Sequence, residues 1–477
     1  MTDILSSSLS FGAIEGESAA NKVLDTPNSN CSTINNSEVK RPIHYLGSKL
    51  RLLDELDIFV HEVCPNATTF CDLFAGSGTV SQHFIKTHDV TSVDIQEYSR
   101  VITSAVSAPK NSEGHTAKEI IELARESTVY SELHEAFGHL IKFEHKAIDN
   151  AQNDELEMSC DLLEDGCLEF YKQKATEIKN RKLKKALKYA KSVIERSSSL
   201  TPEDPMVSSY FGGIYFSYEQ AVHIDSLLSI IFKLPAADKD TFLAPLLSTV
   251  SDIVNTVGKQ FAQPIKPRKA DGTPKASLKS QLKKDRYKCV FKTYEKWLNK
   301  YILRKSGSFN HTSIKSDYAI FLKNNNSKID IFYADPPYTR DHYSRYYHVL
   351  ETICLRDNPK ISTVKMHGQI SLSRGIYREE RHQSPFCIKS QATFAFDELF
   401  EYVSKHEAPL LLSYSPFAKE SNNHPRVLGV DVIEELAKKH FNSVEIFSIG
   451  EFSHSKLNHS EKNLETVSEA EILIVCK

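Results

Sequence analysis

Residues 67–96 read ATTFCDLFAGSGTVSQHFIKTHDVTSVDIQ, and this stretch decides the fold. A short apolar run ends in the acid Asp72, a glycine-rich turn follows at Gly76–Gly78, and the next residues have a helical pattern. DVTSVDIQ then gives a second strand that ends in Asp94. Strand, glycine turn, helix and strand are the opening half of a doubly wound α/β sheet. Glycines after a strand let the backbone approach a ligand, and the helix behind them offers free N–H groups. The turn alone discriminates little. It lacks the GK[ST] ending of a phosphate-binding loop and the third glycine of the dinucleotide fingerprint, so a plain tight turn accounts for it as well. Asp94 adds weight to the ligand reading. It stands about 20 residues past the glycine loop's strand, where an acid accepts both hydroxyls of a ribose. An adenosine-bearing cofactor is the expectation; a turn cap is the alternative.

Working outward, residues 1 to about 40 are rich in Ser, Asn and Thr and read as a disordered tail. LRLLDELDIFVHEVC has Leu52, Leu53, Leu56, Phe59, Val60 and Val63 at helical spacing. From about 110 to 310 the character changes to helical: acidic over 113–170, basic over 172–196, then an aromatic stretch and the Pro/Gly/Lys loop QPIKPRKADGTPKAS. The sheet resumes with KIDIFYADPPY and APLLLSYSP, and closes with SVEIFSIGEF and EILIVCK. The expected architecture is an α/β, Rossmann-like sheet built from 41–110 and 311–477, with a largely helical inserted lobe over 111–310, the position that the resemblance named below gives to target recognition.

Composition excludes some classes. The chain has 477 residues, enough for two or three domains, with 40% hydrophobic and 25% charged residues, as in ordinary soluble proteins. A net charge of -3 argues against a uniformly basic nucleic-acid coat but leaves room for a local basic face. The nine cysteines form no CxxC pair and no metal-finger spacing, so reduced thiols in a cytoplasmic protein and no metal are expected. No secretory leader and no membrane span is read.

The strand Ile331–Ala334 runs into Asp335-Pro336-Pro337-Tyr338. Two prolines continue neither a sheet ladder nor a helix, so they make a stiff loop at the strand's end. There Asp335 can accept from an amino group, the Pro336 carbonyl can accept again, and Tyr338 offers a flat face for stacking. Together they suit a planar ring with an exocyclic NH₂. A proline-rich strand end with incidental polarity is the bland reading.

ADPPY, FCDLFAGSGT, TSVDIQ and the early Tyr45-Leu46-Gly47-Ser48-Lys49 together resemble the motifs of the Dam-like adenine DNA methyltransferases, in the same order along the chain. The likeness is greatest to the branch with YLGSK, VNTVGKQFAQP and ADPPYTRDHYSRYYHVLET. The resemblance implies transfer of a methyl group from S-adenosylmethionine to adenine N6 in a specific sequence of double-stranded DNA, within restriction-modification or phage defence and with a cognate restriction endonuclease as a possible partner. It implies that Tyr45 and Lys49 contact the cofactor, that Asp72, Phe74 and Gly76 line its pocket, that Asp94 holds the ribose, and that Asp335, Pro336, Pro337 and Tyr338 bind the flipped adenine. Asp335 stands in both sets. Tyr45 replaces the Trp common in Dam itself, and the middle region is larger.

Residues 264–305 carry fourteen Lys/Arg against three acids, with Tyr287, Phe291, Tyr294 and Trp297 interleaved. One-sign charge attracts phosphates; a solvated helix face over core aromatics is the alternative. Lys266, Arg268, Lys269 and Arg345 are the candidate DNA contacts. His342, Tyr343, Tyr346 and His348 follow DPPY closely enough for some to join them, although Tyr343 and Tyr347 also read as packed. An RNA adenine methyltransferase and a silent DNA-binding protein on the same scaffold are the rival functions.

Overall fold

Residues on successive positions of each central strand go to opposite faces, as the two-residue period requires. Phe70, Ile331, Leu411 and Leu473 join one apolar cluster, while Cys71, Phe332, Leu410 and Ile474 join another. A sheet buried on both faces follows. The computed structural model describes residues 41–107, 109–302, 308–338, 343–366, 369–415, 427–449 and 471–477. The proposed tail and His342 lie outside the described residues. Residues 37–477 form one compact unit.

The strands are β1 (Thr69–Asp72), β2 (Asp89–Asp94), β3 (His311–Lys315), β4 (Ile331–Ala334), β5 (Thr363–Met366), β6 (Gln369–Leu372), β7 (Leu410–Tyr414), β8 (Val444–Ile449) and β9 (Glu471–Cys476). β5 and β6 make a separate hairpin, and the other seven form one sheet in the order β3-β2-β1-β4-β7-β9-β8. β3, β2, β1, β4 and β7 are parallel, with Phe70 opposite both Val90 and Ile331. β9 is antiparallel to both its neighbours, β7 and β8. The chain leaves β1 toward β2 on one side and returns beside β1 as β4 on the other. That reversal opens a crevice at the carboxyl ends of β1 and β4, where open α/β sheets bind ligands.

Helices α1 (Leu53–Val63) and α2 (Thr79–Phe84) contribute Leu56, Val60 and Phe84 to the Phe70 face. α3 (Glu97–Ser107) follows β2. Between α3 and β3 come α4 (Ala117–Glu126), α5 (Thr128–Gln152), α6 (Glu157–Asp165), α7 (Leu168–Lys174), α8 (Arg181–Arg196), α9 (Met206–Tyr210), α10 (Tyr218–Ile231), α11 (Lys239–Ile253), α12 (Leu278–Arg286) and α13 (Val290–Ile302). α14 (Tyr318–Asn324), α15 (Tyr343–Tyr346), α16 (His348–Leu355), α17 (Lys389–Ser404) and α18 (Val430–Ala437) complete the set.

The helical region does not stand apart from the sheet's own helices. One apolar cluster runs from Val101 and Ile102 of α3 through Leu243 and Leu247 of α11 to Tyr294 of α13 and Leu350 of α16. Arg100 clasps Asp240 with two bonds of 2.7 and 2.9 Å. The Glu351 carboxylate of α16 accepts from Glu97 N and Tyr98 N at 3.0 and 3.1 Å. An anion there satisfies free amides at the positive end of α3.

Within the region, burial forces pairing. Arg286 and Glu144 have side chains 0% and 1% exposed and form an ion pair. Arg286 also donates to Gly213 O and Ile214 O, and Glu144 accepts from Tyr218 N at 2.8 Å. The aromatics of α13 settle between the two readings of the basic block. Phe291, Tyr294 and Trp297 are buried in the core, so they form no stacking surface; Tyr287, between α12 and α13, is exposed.

Candidate active site

A large crevice lies at the carboxyl edge, where β1, β2 and β4 each end in or before an acid. Asp72, Asp94 and Asp335 all line it, with Phe74, Lys49 and Tyr338. Counted out to its open mouth it encloses about 1100 Å³. Tyr45, Pro336 and Pro337 line it too. The structure therefore brings together nearly all the residues singled out from the motifs, drawn from positions 45 to 338.

Gly76 is the exception. It is not on the wall, and its role is backbone geometry. It has φ +51°, and a Cβ there would lie 2.6 Å from the Tyr45 hydroxyl. Its N–H donates to Asp94 Oδ2 at 2.9 Å, and Gln96 N donates to Asp94 Oδ1 at 2.8 Å. Asp94 is thus fixed in its turn and still faces the cavity. Burial raises its pKa, and those backbone bonds pull it back. Tyr45 is held from behind by a near-parallel stack on Tyr347, 4.9 Å between centroids. The Tyr347 hydroxyl accepts from Leu46 N at 2.8 Å. Tyr347 is therefore packing, and so is the fully buried His348.

Asp72 is fully buried, and burial pushes it up to about 7 against the Ser81 hydrogen bond. Ser81 Oγ donates to Asp72 Oδ2 at 2.7 Å, and Ser92 Oγ donates in turn to Ser81 at 2.8 Å. Asp72 Oδ1 has no protein partner. Neither do Tyr333 Oη and Ser344 Oγ, both from residues on the cavity wall. Buried polar atoms left open cost about 1–3 kcal/mol each unless something else meets them.

Asp335 meets Lys49 Nζ at 3.0 Å. Burial raises Asp335 to about 6, with Lys49 opposing and the Glu471 charge adding. Lys49 itself is buried, which lowers its pKa, but the Asp335 and Glu471 charges outweigh that and hold it ionised. Glu471, the first residue of β9, pairs with Lys49 and accepts from Ser413 Oγ at 3.0 Å. The motifs gave no sign of Glu471. Its only sequence signal is an acid opening an otherwise apolar strand. Beyond Asp335, Pro336 is buried, and the half-buried Tyr338 ring lies 5.0 Å from Tyr414 and 5.9 Å from Lys49 Nζ.

The basic candidates divide. Lys266 and Lys269 are exposed. Arg268 is not available as a free cation: it meets Glu157 at 2.9 Å, Glu164 at 3.0 Å and Asp161 at 3.7 Å, all on α6. A DNA contact at Arg268 would have to draw it away from these three carboxylates. Arg345 is exposed, with its guanidinium 5.0 Å from the Tyr377 ring.

Among known proteins, the chain is 23% identical to modification methylase LlaI of Lactococcus lactis subsp. lactis over 416 residues, 83% of this chain and 49% of that protein. It is 25% identical to type II methyltransferase M.FokI of Planomicrobium okeanokoites over 381 residues, 78% of this chain and 44% of that one. The chain spans about half the length of these curated relatives. A family model matches residues 45–202 and 275–409, which takes in the Tyr45–Lys49, glycine-turn, Asp94 and DPPY segments and passes over the Lys266–Lys269 loop. The resemblance read from those motifs is borne out: the chain belongs to the D12 class N6 adenine-specific DNA methyltransferase family.

Proposed function

We propose that the chain transfers a methyl group from S-adenosylmethionine to the N6 amino group of adenine in a specific sequence of double-stranded DNA. The observation that carries this reading is the convergence of Asp335, Pro336 and Tyr338 with Asp72 and Asp94 on one crevice at the sheet's reversal point. The residues present fit the cofactor. Asp72 Oδ1 is an acceptor without a protein partner and suits an ammonium group; Asp94 suits a ribose; Phe74, edge-on to Phe386 at 5.5 Å, suits a planar ring. When bound, the cofactor supplies an electrophilic methyl group. The chain's residues do the rest by position. Asp335 accepts from the adenine amino group, which localises the nitrogen lone pair; Lys49 keeps that carboxylate aimed and ionised. The Pro336 carbonyl accepts the second N–H, and Tyr338 stacks on the base, which must leave the duplex to reach it.

On this reading residues 41–110 and 311–477 are a Rossmann-like catalytic domain, and 111–310 are an inserted helical region that recognises the target. The strand order and the ten helices that the described residues form between α3 and β3 support it. Modification within a restriction system, with a cognate endonuclease, is the context that the relatives' names suggest. Sequencing of modified bases in DNA from cells expressing the chain tests the proposal. N6-methyladenine at one recurrent motif, absent from cells expressing Asp335→Ala, is the expected result; unmodified DNA from cells with folded protein overturns it.

A further inference from the structure

A second cluster of charge lies beside the cavity. Arg345 follows Ser344, and Arg381 precedes His382; both neighbours line the crevice. The two guanidiniums lie against the same buried ring, Tyr377, at 5.0 and 5.2 Å. Among the described residues neither forms an ion pair, whereas Arg378 nearby is bidentate on Asp357 at 2.7 and 2.6 Å. Burial and the Arg345 charge both lower the Arg381 pKa. Two like charges held on one ring, with no ion-pair partner among the described residues, call for an anion, and guanidinium forks match phosphate oxygens.

The mounting is rigid. The Tyr377 hydroxyl donates to Ala262 O, Phe261 N donates to Tyr346 O at 2.9 Å, and Arg374 donates to Ile265 O at 2.6 Å. These bonds fasten the loop that bears Lys266 to the segments that bear Arg345 and Arg381. The exposed Lys266 and Arg345 thus stand on segments tied to one another.

We propose that Arg345 and Arg381, propped on Tyr377 at the rim of the crevice, grip the DNA backbone phosphates flanking the base that enters it. The inference rests on the DNA methyltransferase reading above. Its test is the salt dependence of duplex binding, measured with the full chain and a duplex carrying the motif found by modified-base sequencing. Each phosphate that is no longer neutralised should lower the slope of log K against log salt by about 0.9. Arg345→Gln and Arg381→Gln should each show that decrease, and Arg345→Lys and Arg381→Lys should restore the slope. A duplex with methylphosphonates flanking the target adenine should reduce the wild-type slope by about twice that, as much as the double Gln variant does, and leave the slope of the double Gln variant as it is. Cofactor affinity by calorimetry reports whether each variant is folded. A wild-type chain that binds duplex with a salt slope unchanged in both folded Gln variants overturns the phosphate grip alone. A wild-type chain that leaves DNA unmodified and unbound overturns the underlying function instead.

Discussion

Asp225 in the helical region and Asp72 at the carboxyl edge of the sheet are both fully buried, and burial pushes both carboxyls up to about 7. Their surroundings differ. Asp225 accepts from Val207 N, Ser208 N and Ser208 Oγ at 2.7–2.9 Å, so both its oxygens are met. Asp72 has Ser81 on one oxygen and nothing from the protein on the other. The same contrast holds between ion clusters. Arg286 and Glu144 are enclosed by backbone carbonyls and an amide, whereas Lys49 and Asp335 line an open crevice. Buried charge alone therefore does not mark function in this molecule. On the proposed function, buried charge with a valence left open beside a cavity is what sets the site apart.

The contrast is broken hardest at the structural pair. Arg286→Met leaves Glu144 as an uncompensated buried charge, and the urea midpoint should fall by the equivalent of about 3–5 kcal/mol. At the site the cost should move from stability to turnover. Asp335→Ala should cut methyl transfer by about 10²–10³-fold, the scale for a group that acts on developing charge, with the melting curve little changed. A melting loss comparable with Arg286→Met would mean that the two regions are not distinct in kind. Tyr338→Ala should weaken transfer by roughly 1–3 kcal/mol of lost base stacking, while Tyr338→Phe should retain most activity; equal damage from both would give the hydroxyl the main role. Asp94→Ala should weaken S-adenosylmethionine binding by about 1–3 kcal/mol, read by calorimetry, and unchanged affinity would remove Asp94 from the cofactor site.

A pH dependence separates the two aspartates. Both have folded pKa values near 7, raised from 3.8. The folded state therefore holds more protons than the unfolded state between about pH 4 and 7. Stability should fall as pH rises through that window and level off above it. Only Asp72 should also govern ligand affinity, because an incoming cation needs it ionised. S-adenosylmethionine affinity should rise up to about tenfold per pH unit below 7, flatten above, and lose the slope in Asp72→Asn; the slope should survive in Asp225→Asn.

Much of the sheet was legible in the sequence. β1, β4 and β7 are apolar runs and β2 an alternating one, each closed by an acid, a glycine turn or a proline, and the ends of β1, β2 and β4 line the crevice. β3 (HTSIK) was not read. It is a polar edge strand with one face toward solvent, and its burial alternates too weakly to stand out. The hairpin β5–β6 was missed because each of its strands has only four residues, too few for an alternating pattern to rise above the surrounding loop. The ion pairs of Arg268 were not legible, because the sign of its charge is local information while its three carboxylate partners lie about a hundred residues earlier on α6. The α13 aromatics were open to two readings because a 3.6-residue stripe looks the same whether it meets protein or nucleic acid.

The Lys49–Glu471 pair spans 422 residues of sequence, and Asp335 enters the same cluster from a third segment. No local stretch of chain can assemble this charge balance early. The antiparallel strand β9 must first slide between β7 and β8, and only then does Lys49 have both its counter-ions. Contacts of such high sequence separation form late, after loop closure has been overcome. A chain whose sheet is not yet closed therefore lacks the complete Lys49–Asp335–Glu471 cluster. On the proposed function, competence to modify a base then waits on closure of the sheet at β9, and a chain without that closure is chemically mute.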